Sequence, residues 1–233
     1  MDWREKNKLL RVAFPVNIHS SRATYEIQFG HVERPTHYNT SWDVARFEVC
    51  AHKWADLSET GYGVALLNDC KYGYDIHDNI MSLSLLRATT SPDPTADQGF
   101  QQFTYAILPH VGDLIDGRVI EEAYQLNVPS RVTPLPIQSG VLPAMHSFFE
   151  LDRACVMIEA IKLADDGNGL IVRLYEAHGS RGSVTFRTSL SVQSICRSDM
   201  LENSIEPLVV KDGAVVLKVT PFEIITLRLQ TSP

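Results

Sequence analysis

No stretch of this chain approaches the ~20 uninterrupted apolar residues a membrane-crossing helix needs, and its start, M-D-W-R-E-K-N-K-L-L, lacks the apolar core of a secretory leader. A cytoplasmic protein without a membrane partner is the expectation. Runs of Lys and Arg are missing too, and acids outnumber bases 28 to 21. Without a clustered basic face there is no footprint for nucleic acid. Cysteine is scarce: Cys50, Cys70, Cys155 and Cys196 are scattered with no C-x-x-C pair, which favours packed thiols over disulfides or a zinc site. Gly61-x-Gly63 is too short for a phosphate loop and opens a strand rather than a helix. No repeat of fixed period is present. The sequon Asn39-Thr40-Ser41 has no secretory context and is read as coincidental.

What remains is an ordinary globular composition: 233 residues, 44% hydrophobic, mean hydropathy -0.08 and formal charge -7. That length can bury a sizeable core, as one large β domain or two smaller ones. Strand patterning dominates. Tyr25, Ile27 and Phe29 alternate with Thr24, Glu26 and Gln28; Phe47, Val49 and Ala51 with Glu48, Cys50 and His52; Leu83 and Leu85 with Ser82 and Ser84. Leu9 to Ile18, Phe103 to Leu108, Ala154 to Leu163, Leu170 to Glu176, Val184 to Leu190, Ala214 to Val219 and Phe222 to Leu229 also read as strands. Val64 to Leu67 is a short apolar run suited to burial on both faces. His31 to Tyr38 reads as a proline-bearing connection, Ala88 to Gly99 as a long loop and Asp113 to Leu126 as the one helical segment. Val128 to Pro143 holds Pro129, Pro134, Pro136 and Pro143, a density that no central sheet accepts. The expected architecture is all-β: an antiparallel sandwich over 1–130, a proline-rich connection over 131–147 and a smaller sandwich over 148–233.

Between two of these strands lies the stretch with most chemistry. His52, Lys53, Trp54, Asp56 and Glu59 are expected on a loop, where an indole could stack on a pyranose and the polar groups could bond its hydroxyls. The bland alternative has Trp54 capping the core. Asp69, Lys71 and Tyr72 form a second cluster on a turn; its bland reading is a Lys-Asp surface pair over a packed tyrosine. Arg87, Asp93 and Asp97 could order the long loop. His31, Glu33 and His37 have no enforced common face and fall short of the three or four converging ligands a metal needs. Glu176 and His178, two apart on an expected strand, would share a face. A glycosidase of ordinary mechanism needs two flanking carboxylates, and the 28 acids offer no pattern that singles out a pair. No catalytic residue and no metal ligand are assigned.

The segments N-T-S-W-D, A-R-F-E-V-C-A-H-K-W-A-D-L-S-E and G-Y-G-V-A-L-L-N-D-C-K-Y-G, followed by L-S-L-L-R-A, P-D-P-T-A-D-Q-G, F-T-Y-A-I-L-P-H, L-I-V-R-L-Y-E-A-H-G and P-F-E-I-I-T-L-R-L, are similar to the C-terminal β half of the cytosolic-type α-mannosidases of glycoside hydrolase family 38. The resemblance covers nearly the whole chain in one order. It implies a supersandwich of the galactose-mutarotase kind followed by a second sandwich, and zinc-assisted retaining hydrolysis of mannosyl oligosaccharides in the intact enzyme. The nucleophile and zinc would lie in an N-terminal α/β barrel with no counterpart here, so no cofactor is expected in this chain. Loops of the β half would line the barrel's cleft. A chain parted from that barrel is expected to expose an apolar patch through which copies could associate as a homo-oligomer. Two other readings stay open: a free-standing carbohydrate-binding sandwich, with Trp54 as the stacking ring, and a mutarotase-like epimerase using Glu176 and His178.

Overall fold

The computed structural model describes residues 1–136 and 139–231. Residues 137 and 138 of the proline-rich connection, and the last two of the expected second sandwich, lie outside that description. The chain divides into two compact units, Met1–Val132 and Thr133–Pro233.

In the first unit the elements run β1 (Asp2–Trp3), β2 (Leu10–Pro15), β3 (Arg22–Ile27), β4 (Gly30–Pro35), α1 (Ser41–Val44), β5 (Val49–Cys50), β6 (Trp54–Glu59), β7 (Tyr62–Asn68), β8 (Gly73–His77), β9 (Ile80–Leu86), β10 (Gly99–Phe100), β11 (Tyr105–Val111) and α2 (Val119–Asn127). Every pairing is antiparallel. One sheet has the order β11-β7-β6-β3-β4 and the other β2-β9-β8-β5, with β1 and β10 as a separate pair. The core between them takes Tyr25, Ala55, Leu57, Val64 and Leu66 from the first sheet and Tyr74, Ile76, Met81, Leu83 and Leu85 from the second. Tyr25 and Tyr74 meet edge to face across it, ring centres 6.4 Å apart.

The other face of β6 and β7 is buried as well. Trp54, Ala65 and Leu67 point there, and α2 covers them with Val119, Ile120 and Ala123 buried. That double burial is why Val64 to Leu67 is a continuous apolar run.

The second unit is a cleaner two-layer sandwich. It comprises β12 (Phe149–Leu151), β13 (Val156–Leu163), β14 (Leu170–Glu176), β15 (Gly182–Thr188), β16 (Val192–Ser198), β17 (Ser204–Pro207), β18 (Ala214–Val219) and β19 (Ile224–Thr231). Sheets β12-β15-β18 and β13-β14-β19-β16-β17 enclose Val172, Leu174, Phe186, Leu217 and Leu227. The all-β sandwich reading holds in both units.

Several local expectations do not. His52 to Glu59 is not a loop: from Trp54 it is β6, an interior strand of the larger sheet. Strand structure near Phe47 shrinks to Val49–Cys50, and Phe47 points outward at 76% exposure. Gly30–Pro35 is a strand rather than a connection, its proline at the strand end and the sheet edge, where a missing N–H costs little. Helix α2 begins only at Val119, because residues 113–118 are spent on turns. Strands β16 and β17 lie where no strand was read.

Candidate functional site

The residues expected to meet sugar turn out to be held mostly by other groups of the first unit. Trp54 is 1% and Asp56 2% exposed. Asp56 Oδ1 lies 2.8 Å from His110 Nε2 on β11, and Asp56 Oδ2 accepts from the Ser58 hydroxyl at 2.5 Å. The imidazole sits opposite Gly63 of β7 in the strand register. A Cβ on Gly63 would come within 2.3 Å of His110 Cε1, and one on Gly117 within 2.3 Å of Cγ. Two glycines therefore make the slot in which a histidine reaches a buried aspartate. Lys53 is turned back on Glu26, its backbone N–H and Nζ donating to the two carboxylate oxygens at 2.5 and 2.6 Å. Its ammonium also lies 4.7 Å from the ring centre of Tyr124 on α2. Glu59 accepts from the His19 N–H at 2.7 Å. These contacts anchor the larger sheet and leave little of the cluster to face a ligand.

The hydrogen bond to Asp56 raises the His110 pKa, outweighing the burial that opposes it. A raised folded-state value gives stability that is fully present below the ordinary histidine value and is lost as pH rises through the raised one. Urea midpoints of the chain, taken between about pH 6 and 9, are expected to fall with rising pH. In His110→Gln that slope should flatten; a slope unchanged in the variant would assign it to other groups.

The second cluster opens outward instead. Asp69 Oδ1 accepts from the Thr104 N–H at 2.9 Å and Lys71 Nζ lies 4.9 Å from the centre of the Phe103 ring, so the expected Lys-Asp pair is replaced by two separate contacts. Tyr72 is not packed beneath them but 56% exposed, with the His52 ring edge-on at 5.1 Å. Beside it, along the β5 edge, runs a groove of about 520 Å³ lined by Glu48, Cys50, Tyr72, Ser84, Arg87 and Asp97 among others. A second groove of about 460 Å³ shares Glu48, Arg87 and Thr89 with it and continues to Asn7 and Ser91. Both fall in the size range of small-ligand sites. The Ser84 hydroxyl fixes the Glu48 carboxylate. Asp97 orders the groove's loop by accepting the backbone N–H groups of Arg87 and Ala88, while Asp93 accepts from Thr95. Neither Asp93 nor Asp97 bonds the Arg87 guanidinium among the described contacts. Sequence reasoning passed over Glu48 as the wet face of a strand, because the Ser84 that holds it lies 36 positions away.

The metal and epimerase candidates disperse. His31 and Glu33 lie on β4, Glu33 pairs with Arg22 at 2.8 Å, and His37 sits beyond the strand end, its Nδ1 3.6 Å from Asp43. Among the described residues no three of His, Cys, Asp and Glu are placed to share a cation. Glu176 ends β14, so His178 falls outside the strand and the shared face is lost. The Glu176 carboxylate is fully buried and accepts from the N–H groups of His178, Gly179 and Phe222 and from the Ser180 hydroxyl, at 2.7 to 3.1 Å. It ties two loops together and has no face left for a substrate.

The arrangement is thus a β scaffold with polar grooves along the β5 edge. Residues 1–95 match the glycosyl hydrolases family 38 C-terminal domain, and residues 155–227 match the glycosyl hydrolases family 38 C-terminal beta sandwich domain. The chain belongs to glycoside hydrolase family 38. It is 48% identical over 237 residues to human alpha-mannosidase 2C1, a match spanning 99% of this chain and 22% of that one. Alpha-mannosidase G of Dictyostelium discoideum is 45% identical over 98% of this chain and 21% of its own length. The alpha-mannosidase of Saccharomyces cerevisiae is 37% identical over 98% of this chain and 23% of its own. In fold, the crystal structure of an alpha-mannosidase from Enterococcus faecalis V583 superposes with a TM-score of 0.79 at 20% identity, covering 97% of this chain and 26% of that one. The chain therefore spans about a fifth of the length of the curated relatives it matches. What it matches in these relatives is the C-terminal portion of family 38 α-mannosidases. Among its described residues no helix is long and apolar enough to cross a membrane.

For a family 38 C-terminal portion, this division of the acids makes physical sense. Asp56 and Glu176, the two most deeply buried acids among the candidates, are taken up by hydrogen bonds with His110 and Ser58 and with His178, Gly179, Ser180 and Phe222. Glu48 and Asp97, by contrast, line an open groove.

Proposed function

We propose that this chain supports the catalytic domain of a cytoplasmic α-mannosidase and lines one side of its cleft, with the Glu48–Tyr72–Arg87 groove facing mannosyl oligosaccharide. The observation that carries the reading is the groove itself. It joins an exposed ring that can stack on a pyranose, a fixed carboxylate and a guanidinium, on the β5 edge of a chain that corresponds to one-fifth of an α-mannosidase. The four cysteines, all free thiols, agree with a reducing compartment.

In the intact enzyme the retaining chemistry, with zinc and the nucleophile, would belong to the domain outside this chain. Among the described residues no three His, Cys, Asp or Glu side chains converge as zinc ligands would. The part of this chain would be to position: Ser84 holds Glu48, and Asp97 holds the backbone at Arg87. Assayed with an aryl α-mannoside and added zinc, the purified chain is expected to show no turnover. Hydrolysis that tracks the protein through purification would overturn the assignment of chemistry to the other domain.

A free-standing carbohydrate-binding module is favoured by one feature, the 56% exposure of Tyr72. It predicts saturable mannoside binding by the isolated chain, seen by calorimetry and abolished in Tyr72→Ala. Binding that survives that substitution would place the sugar elsewhere.

A further inference from the structure

Two aromatic rings stand out of the first unit five residues apart. Trp42 is 81% and Phe47 76% exposed, far more than rings normally are on a protein that has no use for them. Val44 and Tyr38, at 50% and 51%, extend the same segment. Exposure of this degree often accompanies loose chain, but here the backbone is pinned. Thr40 and Asp43 close a capping box around α1: the Thr40 hydroxyl accepts the Asp43 N–H at 3.2 Å, and Asp43 Oδ2 accepts the Thr40 N–H at 3.1 Å. Asp43 is itself buried and also receives Arg46 at 3.3 Å. Tyr38 stacks on His77 of β8, ring centres 3.9 Å apart, and ties the segment's start to the smaller sheet. The charges that could repel an apolar partner are thus neutralised within the segment, while the rings are held outward on a preorganised support. Two exposed rings on one short segment whose backbone is held by its own cap have the chemistry of interface anchors.

We infer that Trp42 and Phe47 are the anchors by which this chain docks onto the rest of its α-mannosidase, the part that makes up about four-fifths of its relatives and lies outside these residues. The inference rests on the proposed function and names the surface that reading requires. The choice of occupant follows from length: relatives of 37 to 48% identity carry this portion on one polypeptide with a much larger remainder, so an internal partner is always at hand. At the effective concentration of a shared chain, a second copy would compete poorly for the same rings. Trp42 also lies within N-T-S-W-D and Phe47 within A-R-F-E-V-C, segments whose exposed aromatics the packing of this unit leaves unexplained.

The test supplies the missing part in trans. The N-terminal remainder of human alpha-mannosidase 2C1 is co-expressed with this chain carrying an affinity tag, and capture is quantified for the wild type, for Trp42→Ala with Phe47→Ala, and for Leu201→Ala. Leu201 is 83% exposed in the second unit and serves as the control. Since both rings are solvated, the double variant is expected to melt with the wild-type chain in isolation. It is expected to lose capture by at least about tenfold, with Leu201→Ala unaffected. Equal capture by the double variant would overturn the inference and leave the proposed function standing. No capture by the wild type would overturn the proposed function, and the inference with it. Sedimentation of the chain alone provides the remaining arm: a dimer dissolved by the double substitution, without capture of the remainder, would assign the rings to a second copy and sink the inference.

Discussion

Trp54→Ala is expected to destabilise the first unit by about 3–5 kcal/mol, the usual cost of emptying a buried tryptophan site. The ring is 1% exposed on β6, beneath the helix that packs on this strand and with the His31 ring of β4 6.0 Å away, so the gap cannot close by a small local shift. Urea unfolding followed by far-UV circular dichroism measures the loss. The same substitution separates two roles for this residue. A sugar-stacking ring is solvated in the free protein, and its removal weakens binding while leaving stability nearly unchanged. A loss below about 1 kcal/mol would contradict the buried placement.

Glu176→Ala is expected to cost about 3 kcal/mol. The substitution strands three backbone N–H groups and a hydroxyl that now share one buried carboxylate, and water has poor access to replace it. Burial alone would raise the Glu176 pKa, but the hydrogen bonds from Ser180, Phe222 and His178 outweigh it and hold the value below the ordinary glutamate range. A depressed folded-state value gives stability that is present above the unfolded value and lost as pH falls through the folded one. The wild type and Glu176→Ala should therefore differ fully near neutrality and converge in acid. Amide hydrogen exchange at His178, Gly179 and Phe222 localises the effect, since these amides should lose protection first. Uniform loss of protection across both units, or none at these three sites, would refute the local account. Glu176→Gln, which keeps one acceptor oxygen, should fall between.

Both predictions concern residues whose sequence context suggested chemistry and whose surroundings turned out to be structural. The reason is specific. His52 to Glu59 has the polarity of a loop, and beyond Ser58 nothing near Asp56 in sequence announces the partner that lets it be buried. The partner is His110, 54 positions away on β11, admitted by the absence of a side chain at Gly63 and Gly117. Lys53 and Glu26, 27 positions apart, are a second such case. A buried charge is tolerated when it is paired and hydrogen-bonded, and pairing across sheet neighbours leaves no periodic trace. Phe47 fails in the opposite direction. Alternation placed it inside with Val49 and Ala51, yet the strand is only two residues long and Phe47 lies before it.

The order of motifs along the chain was enough to fix the family, and alternation with proline and glycine punctuation was enough to fix the class of fold, because both depend on what each segment does with its own faces. Which acids lie inside, which rings stand in water and where a groove opens were decided only when distant strands came into register. The physical reason is that the energy of a polar or aromatic side chain depends on its neighbours in space, and in an antiparallel sandwich most of those neighbours are far away along the chain.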